Sequence, residues 1–280
     1  MGRVIGVAGI VVLLATSCGP GARSGSPSPT APTSTSLPAT TAAPAESSTP
    51  ATTVTTAAPA PTTTATSVVP DEPVVDALSD GSFTCCPGGP GPFPGVAYSH
   101  GGRRGAIGGD LRGTCEALAE AGYVAHAQHR RDEDNMGLQL LDAQAGLDTL
   151  LAHPDLDPGR IGIIGFSRGG LLTLQMAVER PGDVHAAVLM APAHGIHTME
   201  ETLQEVTPVD DPVLVLVAEN DLMQADHVAI AHDVEAALTT AGKDVRLVVY
   251  PPYGDDGHDL FSEVRDPYWP DLLAFLASHL

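Results

Sequence analysis

The sequence predicts an α/β protein whose mostly parallel sheet is covered by helices on both faces. The first observation is that, from residue 95 onward, short apolar runs typical of buried strands alternate with segments whose apolar residues have helical spacing. The second is that parallel strands need crossover connections, and helices in those connections cover both faces of the sheet. The third is length, because residues 71–280 match the usual size of one such domain.

The individual elements follow from apolar runs and their punctuation. Apolar runs predict strands at 95–99, 123–128, 161–166, 186–190, 213–218 and 245–250. Helical spacing predicts helices at 111–121, which Gly122 ends, and at 138–151, 171–179, 228–240 and 272–280. The segment between the strands at 186–190 and 213–218 has room for one short helix around 199–206, so we expect no large lid.

The first 18 residues are typical of an export signal. Arg3 precedes an uncharged apolar run from Val4 to Ala15, which is shorter than the roughly 20 residues that span a bilayer. The small residues before Cys18 resemble the lipobox of bacterial lipoproteins, in which the cysteine is acylated. This resemblance implies that Cys18 carries lipid and anchors an exported protein to the outer face of the cell membrane. Ordinary secretion after cleavage nearby is the alternative.

Residues 19–70 and residues 71–280 differ sharply in composition. The first segment is almost entirely Pro, Thr, Ala, Ser and Gly, which predicts a disordered linker because it has nothing from which to build a core. The chain has 13 basic and 34 acidic residues, a net charge of −21, and apart from Arg3, Arg23 and Glu46 these charges lie in residues 71–280. We therefore expect no nucleic-acid partner for the folded domain.

The cysteines of the folded domain predict a disulfide and no metal. An exported domain can hold a disulfide, so we expect either Cys85 or Cys86 to pair with Cys115. None of the three has metal-site spacing with a histidine, and no motif indicates a cofactor.

The stretch Gly165-Phe166-Ser167-Arg168-Gly169 fits the G-x-S-x-G nucleophile elbow, between a predicted strand and a predicted helix. A sharp turn of this kind raises the serine hydroxyl above the sheet, and the start of the helix favours negative charge that develops there. A serine hydroxyl needs a base to become a good nucleophile. Asp221 and His258 each follow a later predicted strand, in the chain order that the elbow requires. Asp226 is the alternative acid.

The stretches "VAYSHGG", "RIGIIGFSRGG", "LVLVAENDLMQADH" and "YGDDGHDLF" resemble the α/β-hydrolase superfamily, with the dienelactone-hydrolase-like and prolyl-oligopeptidase-like branches closest. The resemblance implies that Ser167 is the nucleophile, Asp221 the acid and His258 the base. It also implies that the backbone N–H of Arg168 forms one half of the oxyanion hole and that the loop after "YSHG" supplies the other half, from Gly102 or its neighbour. Dienelactone hydrolases use a cysteine where this chain has serine, which favours ordinary esters. The two strands that usually open this fold are not visible in residues 71–94.

Other polar residues near strand ends complete the predicted site. We expect His194 and His129 at the substrate-binding rim. Arg130 and Arg131 are followed at once by acidic residues, which predicts a local salt-bridged loop. The predicted function is hydrolysis of a small, short-acyl ester without a cofactor. The alternatives are a non-catalytic surface lipoprotein that binds a ligand or partner, and a peptidase of the prolyl-oligopeptidase-like branch. The oligomeric state stays open.

Overall fold

The structure, a computed structural model, describes residues 72–103 and 106–280, and its strands form one sheet. Their order in the sheet is β1-β2-β4-β3-β5-β6-β7-β8. The β1–β2 and β2–β4 pairs are antiparallel, and the remaining neighbours are parallel. The strands are β1 Val74–Ala77, β2 Phe83–Cys86, β3 Phe93–Ser99, β4 Val124–Gln128, β5 Leu156–Phe166, β6 Ala186–Met190, β7 Val213–Ala218 and β8 Val245–Tyr250.

Helices connect the parallel strands, and several begin at a side-chain cap. Asp110, Asn135 and Asp226 each accept a hydrogen bond from a backbone N–H in the first turn of the helix that follows, which satisfies a donor that has no partner within the helix. The helices are α1 Leu111–Glu120, α2 Met136–Leu151, α3 Arg168–Glu179, α4 Thr198–Leu203, α5 His227–Thr240 and α6 Tyr268–His279, with a 3₁₀ turn at Gly257–Phe261.

Two apolar cores lie on opposite faces of the sheet. Successive residues of β5 alternate between them, so that Ile163 belongs to one core and Ile164 to the other. The core that contains Ile163 also contains residues of α2, α3 and α5, whereas α1 and α6 contribute to the core that contains Ile164. The prediction of a mostly parallel sheet with helices on both faces is confirmed.

The edge of the sheet differs most from the expectation. β1 and β2 form an antiparallel hairpin in the region where no strands were visible, because β1 is mostly exposed and has no apolar alternation. β5 begins at Leu156, ahead of the predicted start, because the residues from Asp157 to Arg160 are polar or turn-forming and give no strand signal. Cys85 on β2 is the residue that pairs with Cys115 on α1, and Cys86 is a free thiol.

The predicted export signal, Cys18 and the linker lie outside the described residues. Among the helices of the part that the structure describes, none is long and apolar enough to cross a bilayer.

Candidate active site

Ser167 lies at a strained turn between β5 and α3. Its backbone has φ 55° and ψ −118°, a region that residues other than glycine seldom adopt. The turn is so tight that a Cβ added to Gly165 would lie 2.2 Å from the backbone oxygen of Gly169, and a Cβ added to Gly169 would lie 1.9 Å from that of Ser99. The glycines on either side of Ser167 are therefore required by close backbone contacts.

A cavity of about 670 Å³ opens above this serine. Arg103, Ala193, Ile196 and Met223 are among the residues that line it together with Ser167. Among the described residues, the segment between β6 and β7 contributes only the six-residue helix α4, and this segment forms no large lid over the opening. The cavity connects the partly exposed Ser167 to solvent.

Asp221 and His258 lie in contact beyond the ends of two neighbouring strands. Both carboxylate oxygens of the fully buried Asp221 are 3.0 Å from Nδ1 of His258. The imidazole packs against the ring of Phe166, the residue before Ser167, with ring centroids 4.8 Å apart. Within the described residues, no hydrogen bond joins the Ser167 hydroxyl to His258, and such bonds are often long before substrate binds.

Asp226, the alternative acid, does not reach the histidine. It is exposed, and its Oδ1 accepts a hydrogen bond from the backbone N–H of Ala229 at 2.9 Å as the N-cap of α5. The neighbouring Asn220 helps to hold Asp221 next to His258. Its side chain accepts a bond from Tyr253 N at 2.8 Å, and its carbonyl accepts one from Gly257 N, so that the loops carrying the acid and the histidine are held together.

The loop after β3 brings Gly102 to the same cavity. Gly102 has φ +86°, and an added Cβ would lie 2.1 Å from the backbone oxygen of Ala106. Arg168 is the first residue of α3, where backbone N–H groups have no acceptor within the helix. The structure thus brings Gly102 and Arg168 to the cavity beside Ser167.

His227 is a site residue that the sequence reasoning missed. It is buried, its ring lies 4.6 Å from that of His258, and its Nε2 is 3.8 Å from Asp221 Oδ1. Its ring nitrogens face the carbonyl oxygens of Pro192 and Met223 at 3.1 and 2.9 Å. In the sequence His227 directly follows Asp226, a residue type that favours a helix N-cap, and this position indicates the start of a helix rather than a functional site.

Asp221, His227 and His258 also form the group of metal-type ligands that the described residues bring together, with one atom of each within 4.8 Å of the others. The donor atoms are already engaged, because Asp221 and His258 bind each other and both nitrogens of His227 face carbonyl oxygens. This arrangement suits proton transfer better than metal binding.

The two histidines expected at the rim differ in position. His194 lines the cavity, and its Nε2 lies 2.7 Å from Glu200 Oε1. His129 does not line it: its ring contacts the backbone oxygen of Asp80 at 2.8 Å and its N–H donates to Ser82 Oγ. The structure thus places His129 against the β1–β2 hairpin and outside the residues that line the cavity, and its role in substrate binding stays a prediction.

Arg130 and Arg131 do not pair with the acidic residues that directly follow them, although the sequence had led us to expect such pairs. Arg131 pairs with Asp142 on α2, and Arg168 pairs with Asp134 at 2.8 Å. Arg103 contacts the same carboxylate, and these two arginines hold the pKa of Asp134 below its usual range. Arg130 instead is buried beneath the Gly102 loop.

This architecture, with its strained serine at a strand–helix turn, defines an α/β hydrolase. Residues 126–268, just over half of the chain, match the dienelactone hydrolase family, and the chain belongs to that family. The predicted family and enzyme class are confirmed.

Individual relatives are more distant. The curated protein "Uncharacterized peptidase YtmA" of Bacillus subtilis (strain 168) is 32% identical over 109 residues, which are 36% of this chain and 42% of the relative. The chain thus matches less than half of the length of that relative.

Two solved structures share the fold. A protein assigned as a dienelactone hydrolase from Klebsiella pneumoniae is 21% identical, with a TM-score of 0.58 over 75% of this chain and 100% of its own. Esterase B from Lactobacillus rhamnosis is 15% identical, with a TM-score of 0.56 over 75% of this chain and 87% of its own.

Proposed function

We propose that this hydrolase cleaves carboxylic esters of small, short-acyl substrates through an acyl-enzyme on Ser167. The observation that carries the proposal is the buried pair of Asp221 and His258, whose Nδ1 lies 3.0 Å from both carboxylate oxygens, beside a strained serine that opens to a cavity. This pairing assigns the Nδ1–H tautomer to His258 and leaves Nε2 free to take a proton.

In the proposed reaction Ser167 Oγ attacks the ester carbonyl carbon while His258 Nε2 takes the hydroxyl proton. The backbone N–H groups of Arg168 and Gly102 donate to the resulting oxyanion, and each such donor contributes about 2.7–4 kcal/mol in comparable sites. The C–O bond to the alcohol then breaks, and the alcohol leaves with the proton from His258. Water, deprotonated by His258, attacks the acyl group, and the acid departs as Ser167 regains its proton.

The preference for short acyl groups is supported by the open cavity. The single short helix α4 covers too little of the opening to enclose a long chain. Each CH₂ that is buried contributes only about 0.8 kcal/mol, so carbons that stay in solvent add little. We expect kcat/KM for p-nitrophenyl esters to be highest for acetate to butyrate. A maximum at about eight carbons or longer would contradict this preference, because each added methylene would then be buried.

The mechanism is tested with Ser167→Ala and His258→Ala, which should abolish ester turnover while far-ultraviolet circular dichroism stays unchanged. A fluorophosphonate should form one covalent adduct with the wild type, located on Ser167 by mass spectrometry, and no adduct with Ser167→Ala. His232→Ala is the matched control and should keep wild-type turnover, because this exposed histidine of α5 pairs with Glu235 and does not line the cavity. Wild-type turnover in Ser167→Ala would refute the mechanism, and a wild type without turnover would favour a ligand-binding role.

Peptide hydrolysis is the second candidate, because the curated relative is named a peptidase. The same nucleophile would serve both reactions, so peptide p-nitroanilides assayed beside the esters discriminate them. A larger kcat/KM for the anilides would favour the peptidase.

We also propose that the protein is exported and anchored by lipid at Cys18. The Cys85–Cys115 disulfide supports export, since such bonds persist in oxidising compartments. Two acyl chains on one cysteine suffice for stable anchoring. Mass spectrometry of the native N-terminus should find diacylglyceryl on Cys18, and Cys18→Ser should release the protein from the membrane. An unmodified Cys18 in protein recovered from the medium would refute the anchor.

A further inference from the structure

Arg130, directly after β4, is a buried cation without a role in the chemistry above. Its exposed fraction is 2%, and burial lowers its pKa to about 10, which leaves it protonated at neutral pH. In the described part of the chain no carboxylate forms an ion pair with it, whereas its neighbour Arg131 pairs with Asp142. Burying an unpaired charge is costly, so its surroundings must compensate it in another way.

The Arg130 guanidinium donates to two successive carbonyl groups of the loop that follows β3. Nη1 donates to His100 O at 2.5 Å, and Nη2 donates to Gly101 O at 3.3 Å. Gly101 O also accepts from His100 Nδ1 at 2.5 Å and from Gly108 N at 3.0 Å. Three donors therefore converge on one oxygen of this loop.

The convergence sets the direction of the Gly102 N–H. The cis peptide bonds of the described residues precede Pro92 and Pro267, so the bond between Gly101 and Gly102 is trans. In a planar trans peptide the C=O and N–H groups point in opposite directions. With the donors gathered on the oxygen, the Gly102 N–H is directed to the opposite side of the loop, and Gly102 borders the cavity beside Ser167.

We propose that Arg130 is a positioning residue for the oxyanion hole. By holding the carbonyl groups of His100 and Gly101 it fixes the peptide whose N–H donates to the oxyanion. Its positive charge, which forms no ion pair with a carboxylate of the described residues, also favours the anionic intermediate over the neutral substrate. The inference rests on the proposed ester hydrolysis and adds to it a residue that touches neither substrate nor Ser167.

The test compares Arg130→Met and Arg130→Lys with the matched control Arg131→Met, all in the full-length protein. Removing one oxyanion donor costs about 10²–10³ in kcat in comparable enzymes, and we expect a loss of this size for Arg130→Met with KM within about threefold of wild type. Arg130→Lys keeps the charge but lacks the planar fork that reaches two carbonyls, so we expect a loss of about tenfold or more. Arg131→Met should stay within about twofold of wild type, since an exposed ion pair contributes little.

A second readout separates positioning from a general structural role. A trifluoromethyl ketone forms a tetrahedral adduct whose oxygen occupies the oxyanion hole, so its affinity should fall by the same factor as kcat/KM in each Arg130 variant. Folded Arg130 variants with wild-type kcat, or with a kcat loss and unchanged affinity for the ketone, would overturn the proposal. If Arg130→Met does not fold, Arg130→Lys carries the same two outcomes.

Failure of the proposed function gives a different result. If the proposed function is wrong, ester turnover will not depend on Ser167. This dependence is measured with Ser167→Ala before the Arg130 variants are compared. Serine-dependent turnover with Arg130 variants equal to wild type rejects only the role of Arg130.

Discussion

Replacing Asp221 by Asn tests the assignment of the acid. The carboxylate is fully buried, and both of its oxygens lie 3.0 Å from His258 Nδ1, so it accepts the Nδ1–H in either orientation. An amide presents one acceptor and one donor, and in the donor orientation it stabilises the tautomer whose Nε2 already carries a proton. That tautomer cannot take the proton of Ser167.

The expected loss of kcat follows from the wrong tautomer of His258, in which Nε2 already carries a proton. The same change in a serine protease lowers kcat by about 10⁴, which corresponds to about 5.4 kcal/mol at 1.36 kcal/mol for each factor of ten. We expect a loss of this order for Asp221→Asn with p-nitrophenyl acetate, and a smaller change in KM.

Asp226→Asn is the matched control. Asp226 is exposed and caps α5 through Ala229 N, and Asn is an equally good cap. We therefore expect kcat within about twofold and a free energy of unfolding within about 0.5 kcal/mol of wild type. Both variants are assayed for kcat, KM and thermal unfolding. A larger loss of kcat in Asp226→Asn than in Asp221→Asn would refute the assignment.

Three further predictions concern stability. Gly169→Ala should lower the free energy of unfolding by at least about 3 kcal/mol, because its Cβ would lie 1.9 Å from Ser99 O. The control Gly137→Ala in α2 has its nearest contact at 3.4 Å and should raise the free energy of unfolding by about 0.5–1 kcal/mol. Equal urea midpoints for the two variants would contradict the close-packing argument. Replacing Cys85 and Cys115 by Ala should lower the free energy of unfolding by about 3–4 kcal/mol, because the disulfide closes a loop between cysteines 30 residues apart, and Cys86→Ala serves as the control that should leave it nearly unchanged. Burial, reinforced by the charge of Arg130, lowers the pKa of His100 to about 3, so below pH 6.5 the unfolded chain binds a proton that the folded chain does not. The free energy of unfolding should therefore fall by about 2 kcal/mol between pH 7 and pH 4.5. A flat profile of unfolding free energy over that pH range would count against a buried neutral His100.

Strands with a buried apolar run were predictable to within a few residues. β6 and β7 were located correctly because each is a fully buried apolar run, and β8 was located correctly because its residues are mostly apolar, although only Tyr250 of this edge strand is buried. The start of α3 was not, since Arg168, Gly169 and Gly170 have no helical apolar spacing and are helical only because the elbow directs them. β1 and β2 carry so little buried apolar surface that their pairing, not their sequence, makes them strands.

The sequence by itself indicated the α/β class and predicted Ser167, Asp221 and His258 in that chain order, because periodicity and the elbow motif are local properties of the chain. The tertiary structure places Asp221 against His258 and Asp226 at the start of α5, although the two lie only a few residues apart. It also decided that Cys85 rather than Cys86 meets Cys115, and that Arg130 turns inward to the loop carbonyls while Arg131 pairs with Asp142. In each case residues of similar chemistry lie close together in the sequence, and contacts between segments that are distant in the sequence set their partners.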